Sequence, residues 1–270
     1  MNGQFPIELY SQIYKCEDCR KIRDPDGVYY FVNGKGKPSS SEYLPITVPV
    51  GNFGDVVKAK IWVVATNPDG SDRADALVGL SVDKFGAESR SLLKDSDIEE
   101  IFRLQCNYFR ESKSKWHPYF LTFVKLLEGM KVEGQPISFS SGDVCFVDAI
   151  KCPTRKAWMG FVMGANGKKV WANCQKVKNK FLDKQIDLHQ PRIMLFYGTS
   201  GLIKAEKRGQ KILESESYSN NLKLTLRYVY DEGNVKRVSV DFSKTRLEQL
   251  SDDELRSIRN FISKGIANLT

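Results

Sequence analysis

The residues in this chain best suited to chemistry are four cysteines set far apart. Cys16 and Cys19 form a C-x2-C pair in Tyr14-Lys15-Cys16-Glu17-Asp18-Cys19, Cys152 follows the apolar run Val144 to Ile150, and Cys174 closes Trp171-Ala172-Asn173-Cys174. A lone C-x2-C pair is weak evidence, because a solvated loop can carry one by chance. With the two distant thiols added, a metal centre that ties an N-terminal arm to the body of the chain becomes the economical explanation. Zinc usually takes cysteines as two close pairs, and Cys152 and Cys174 are not close in sequence. A metal-free set stays open beside it. Cys106, on a helical stripe, and Cys145, inside a strand, read as core cysteines.

A second group of polar residues stands where strands should end. Asn67-Pro68-Asp69-Gly70-Ser71-Asp72 follows the apolar run Lys60 to Thr66. It has good turn chemistry, so it is either a plain turn or a reactive loop. Asp148 is an acid within an apolar strand, a costly placement unless paired. It is either the partner of a buried lysine or arginine, or a group that reads a ligand.

The elements that must position these groups follow from periodicity. Lys60 to Thr66, residues 144–150 and Arg192 to Gly198 are short apolar runs, as expected of strands buried on both faces. Ser96 to Arg110 carries a helical stripe, and a second helix starts at Pro118, an N1 proline. Trp171, Cys174, Val177, Phe181 and Ile186 follow helical spacing. Leu222 to Tyr230 and Lys236 to Phe242 alternate around a turn, and Ser251-Asp252-Asp253-Glu254 opens a last helix with a capping box. Strands alternating with helices predict an α/β fold, a three-layer αβα sandwich on a mainly parallel sheet. Residues 66–72, 148–152 and 198–201 should then converge at the carboxyl ends of the strands. Residues 1–55, punctuated by Gly, Pro and Ser, read as an arm packed on a domain formed by residues 56–270.

Forty-one basic and 33 acidic side chains give a net charge of +8 over 270 residues. The basic residues cluster at Lys168-Lys169, Lys176 to Lys180, Lys204 to Lys211 and Lys236-Arg237. A solvated basic surface or a polyanion partner accounts for this. No apolar run approaches a membrane span and the start lacks the pattern of a signal peptide, so a cytoplasmic, monomeric chain is expected, with no membrane and no protein partner evident. Neither a P-loop nor a dinucleotide glycine fingerprint is present.

Three strand ends and four cysteines together resemble the uracil-DNA glycosylase superfamily. Val144 to Cys152 is similar to the strand ending in lysine-cysteine of its iron–sulfur members. Cys174 through Phe181, Leu182, Gln185, Ile186, Pro191 and Ile193 to Gly198 is similar to the helix, strand and glycine turn that follow, and Cys16 and Cys19 match the N-terminal pair. The likeness covers roughly 60–80 and 116–201, with an insert around 80–115. It implies a structural [4Fe–4S] cluster on Cys16, Cys19, Cys152 and Cys174, with zinc as the alternative. The first motif departs from those members: Asn67-Pro68 is similar to the mismatch-specific branch, as is Trp116-His117-Pro118.

The resemblance implies a DNA glycosylase that flips a base from DNA and cleaves its N-glycosidic bond with water. Asn67 would orient the water, and Asp69 or Asp72 would act as general base. Trp116, Tyr119 and Phe120 would stack on the flipped base. Asp148 stands where uracil-specific relatives carry asparagine. A carboxylate only accepts hydrogen bonds, so it opposes uracil O4 and favours an exocyclic amine, as in a cytosine derivative. Excision of hypermodified bases from phage DNA is one role this leaves open. The family's histidine-proline pair is missing; Val240 to Arg246 stands in its place, with Ser243, Lys244 and Arg246 available, beside Ser200, for DNA contact. His117 reads as a helix cap and His189 as structural. The alternative is a catalytically weak or inactive DNA-binding protein on the same fold.

Overall fold

The computed structural model describes residues 6–18, 48–65, 82–110, 116, 118–151, 172–174, 180–197, 211–219, 222–231, 234–242, 247, 250–267 and 269. Its helices are α1 (Ile7–Tyr14), α2 (Asp95–Cys106), α3 (Pro118–Leu127), α4 (Phe181–His189) and α5 (Asp252–Ala267). Its strands are β1 (Ile61–Ala65), β2 (Lys131–Val132), β3 (Gln135–Pro136), β4 (Val144–Asp148), β5 (Ile193–Tyr197), β6 (Lys211–Ser219), β7 (Leu222–Asp231) and β8 (Asn234–Phe242). Packing divides the chain into two compact units: Met1–Gly51, Asn67–Gln105 and Asp148–Leu188 form the first, and Asn52–Thr66, Cys106–Val147 and His189–Thr270 the second.

The second unit is built on a six-stranded sheet of order β4-β1-β5-β8-β7-β6. β1 pairs parallel with β5 (Ile61 opposite Ile193), and β5 pairs parallel with β8. β4 starts beside β1, where the Asp143 carbonyl accepts from the N–H groups of Lys60 (2.9 Å) and Ile61 (3.0 Å). β8, β7 and β6 continue as an antiparallel meander. The fold is therefore α/β with a parallel centre, as the apolar runs predict, and all but the last residue of β1 and β5 are buried. The meander is wider than the sequence indicates. Lys211–Ser219 has no apolar alternation beyond its first residues, and it is pairing with β7 that makes it a strand.

Two helices of this unit start where their sequences say they should. α3 begins at Pro118. The capping box of α5 is formed in both directions: Glu254 N–H donates to Ser251 Oγ (3.3 Å) and Ser251 N–H donates to Glu254 Oε2 (2.8 Å). The α5 stripe Leu255, Ile258, Phe261 and Ile262 is buried. A Cβ on Gly265 would sit 2.7 Å from a Leu226 methyl and 3.0 Å from one of Val238, so glycine is what lets α5 lie this close to β7 and β8. Arg259 Nε donates to the Leu126 carbonyl (2.9 Å) and its Nη2 to that of Lys125, satisfying acceptors that the last turn of α3 leaves open. Beneath α3 lies an aromatic cluster. Phe109 meets Trp116 (5.0 Å), Phe120 (5.2 Å) and Phe139 (5.2 Å) edge-on, and Phe146 of β4 meets Phe120 (4.7 Å) and Phe123 (5.0 Å).

The first unit holds α1 and all but the last residue of α2 and of α4. The structure departs from the sequence reading at three places. Residues 7–14 show no clean periodicity yet form α1, with Tyr10, Ile13 and Tyr14 wholly buried, because tertiary packing of three large side chains outweighs a weak pattern. The stripe from Trp171 to Ile186 is not one helix: residues 172–174 are helical, but Lys180, with φ +25°, breaks the run before α4. The helix predicted to reach Arg110 ends at Cys106 and is followed by a 3-10 turn, Tyr108–Arg110. Among the described residues no helix is long and apolar enough to cross a membrane.

Candidate functional site

The sheet itself marks one edge for function. In chain order β4 falls between β1 and β5, yet β4 lies on one side of β1 and β5 on the other. The connections therefore reverse between β1 and β5, and open α/β sheets bind ligands outside the carboxyl ends of strands at such a switch point. Val64 pairs with Phe196 and Tyr197 with Phe242, so the chain leaves β1, β5 and β8 at the same edge. The first residues beyond these tips lead to Asn67, Ser200 and Ser243. Asn67, Asp69, Asp72, Ser200, Ser243, Lys244 and Arg246 lie outside the described residues, as does His117.

Of the three aromatics assigned to base stacking, Tyr119 is half-buried in the first turn of α3, with its ring 5.9 Å from that of Tyr197 at the tip of β5. Phe120 is buried against Phe109 and Phe146. Trp116 is 4% exposed and packed against Phe109, as a core residue would be.

Asp148 ends β4 and is buried, as is Lys151 three residues on. Burial pushes the Asp148 carboxyl up from its ordinary range, and the Lys151 ammonium opposes that shift. A buried lysine beside Asp148 is what the structural reading of this acid requires. Lys151 also donates from Nζ to the Gly51 carbonyl (3.3 Å), and its own carbonyl accepts from Val50 N–H (2.6 Å).

Around Gly51 the first unit builds a buried polar cage that sequence reasoning missed. Gly51 N–H (2.9 Å) and the Tyr14 hydroxyl (3.0 Å) both donate to Gln105 Oε1. Gln185 Nε2 donates to the Gly51 carbonyl (3.1 Å) and to Tyr10 Oη (3.2 Å). A Cβ on Gly51 would lie 2.9 Å from the Tyr10 ring, so the cage admits only glycine without rearrangement. Its hydrogen-bonded pairs lie 54 to 175 positions apart, and no spacing announces them.

All four cysteine positions assigned to metal fall in the first unit. Cys16 is half-buried and Cys174 buried; Cys19 and Cys152 lie outside the described residues. Asn173 Nδ2 donates to the Asp18 carbonyl (3.2 Å), which ties the neighbour of Cys174 to the neighbour of Cys19. Arg90, almost fully buried, donates from Nη1 to the Cys16 carbonyl (2.7 Å). Among the described residues, which include two of these four cysteines, no three metal-ligating side chains cluster. The other thiols behave as core groups. Cys145 is fully buried, and burial pushes Cys106 up to about 12, with Asn52 Nδ2 at 3.5 Å from its sulfur.

His189 stands apart from the strand tips. It precedes β5, at the edge where the strands begin, with its ring 5.8 Å from that of Trp62, and burial lowers its pKa to about 4. No protein-family model, no curated protein and no solved structure matches this chain.

Proposed function

We propose that this chain is a DNA glycosylase of the uracil-DNA glycosylase type, which flips a damaged or modified base and hydrolyses its N-glycosidic bond. The observation that carries the reading is the sheet order: β1, β5 and β8 end at one edge, with the switch point between β1 and β5. The sequence that follows those tips supplies the chemistry. Asn67 orients the attacking water through its amide oxygen, and Asp69 or Asp72 takes its proton. Tyr119 offers a half-buried ring beside the β5 tip. Ser200, Ser243, Lys244 and Arg246 contact the DNA backbone. Asp148 reads an exocyclic amine, such as that of a cytosine derivative. Its neutral form, favoured by burial, can also donate to a ring nitrogen.

A [4Fe–4S] cluster on Cys16, Cys19, Cys152 and Cys174 would clamp the N-terminal segment, a structural role that zinc would also fill. The Asn173–Asp18 bond supports this ligand set.

A second reading, a DNA-binding protein without turnover, has its own support. The segment after β8 carries no histidine, and His189 sits at the opposite edge of the sheet, held neutral by burial. The two are separated by an abasic-site assay over oligonucleotides containing uracil and modified cytosines. Glycosylase activity predicts strand scission after alkali that Asn67→Ala abolishes; DNA binding with no scission on any base leaves the second reading. Iron and sulfide analysis with visible absorption tests the cluster, and colourless protein with stoichiometric zinc would replace it.

A further inference from the structure

The second unit contains a cavity of about 410 Å3 at the edge where β1 and β5 begin. Four of its lining side chains are cations (Lys58, Lys60, Lys131 and Arg192) and one is a carboxylate (Glu133). They come from four places: the loop before β1, the β2–β3 hairpin, the joint between α4 and β5, and the end of α5, which adds Ser263. Distant segments of the chain thus place positive charge around one hollow.

The four cations are not equivalent. The Arg192 fork is occupied, with Nη1 on Glu133 and Nη2 on the Leu269 carbonyl (2.9 Å). Lys60 is paired with Asp143 at 3.2 Å. Lys58 and Lys131 are exposed, and neither forms an ion pair with a described residue. Two unpaired ammonium groups suit a dianion addressed as point charges; the planar, bidentate fit that carboxylates seek from arginine is already taken. A phosphomonoester carries about −1.5 to −2 at neutral pH, which matches two free lysines. Gln190, which also lines the cavity, is held at φ +48°, a left-handed backbone conformation that a side chain of this size rarely adopts. Val132, Pro191 and Ile266 give the hollow an apolar wall. Its volume lies within the range of small-molecule sites.

We propose that this cavity is a binding site for a small phosphorylated molecule of about mononucleotide size, its phosphate held between Lys58 and Lys131 and its organic part against the apolar wall. The site is independent of the glycosylase reading, because it lies at the opposite edge of the sheet.

Titration calorimetry on the full chain with inorganic phosphate, dAMP and a duplex oligonucleotide tests this, using the Lys58→Ala/Lys131→Ala double variant as comparison. Both lysines are exposed, so the variant should keep the wild-type melting temperature. The expected result is saturable binding of dAMP, tighter than that of phosphate, weakened about tenfold or more in the double variant, as loss of two charge-assisted contacts implies. Glu133→Gln, which removes the one lining carboxylate, should tighten it. Absence of dAMP binding, or binding that the double variant leaves unchanged, overturns the proposal. So does a loss confined to the duplex, which would assign the lysines to a DNA backbone instead. None of these results touches the base-excision assay, so the two proposals fail separately.

Discussion

The two units are stabilised by different physics. The second packs Phe109, Phe120, Phe139 and Phe146 edge against face under α3, where stability comes from apolar area and contact that falls off smoothly as atoms are removed. The first gathers Tyr10, Tyr14, Gln105, Lys151 and Gln185 around the backbone of Gly51. There each side chain is buried and makes at least one hydrogen bond, and removing one partner strands another without water. The contrast teaches that volume matters most in one region and polarity in the other. A substitution that keeps volume and loses polarity should be mild in the aromatic cluster and severe in the cage.

Phe109→Ala should give the largest effect, about 3–5 kcal/mol of lost stability in chemical denaturation, because it empties the centre of the cluster. Phe109→Leu should recover more than half of that loss; if it does not, ring geometry rather than volume governs the cluster.

Next comes Gln105→Leu, close in size but without the acceptor that Gly51 N–H and the Tyr14 hydroxyl share. A loss of about 2–3 kcal/mol is expected, with faster hydrogen exchange at Gly51. A near-neutral result would erase the distinction between the two regions.

The smallest effect is a difference in pH dependence. His189, in the second unit, has its folded pKa lowered from 6.5 to about 4, so its contribution is complete above pH 6.5 and is lost as pH falls toward 4. Asp148, in the first, has its folded pKa raised, so its contribution is complete below the ordinary carboxylate range and is lost as pH rises through the folded value. His189→Gln should flatten the stability profile between pH 6.5 and 4 by about 2 kcal/mol. Asp148→Asn should instead remove a loss of stability that accompanies rising pH between the ordinary carboxylate range and about 7. Slopes that change in the same direction in the two variants would break the opposition.

Much of the parallel centre was legible in the sequence. Ile61 to Ala65, Val144 to Asp148 and Ile193 to Tyr197 are continuous apolar runs with punctuated ends, and a strand buried on both faces has no other way to be written. The starts of α3 and α5 were equally plain, since N1 proline and the capping box act within four residues. α1 was not, because its pattern is weak and its burial depends on a cage assembled from residues far along the chain. The break at Lys180 was hidden for a related reason: Phe181 and Ile186 keep helical spacing with Trp171 although the backbone between them turns. At the candidate site, Asp148 stood out as an acid in an apolar strand, whereas its buried neighbour Lys151 gave no signal beyond its place before Cys152.

Local chemistry, then, was enough to determine which segments are strands, where two helices begin, and that Asp148 must find a partner. Only the tertiary structure decided the order β4-β1-β5-β8, the cage around Gly51 and the basic cavity at the foot of β1 and β5. Hydrophobic period and capping act over a few residues and leave a trace in sequence. Strand order and shared hydrogen bonds join positions up to 175 residues apart, and their energies appear only once the chain has closed around them.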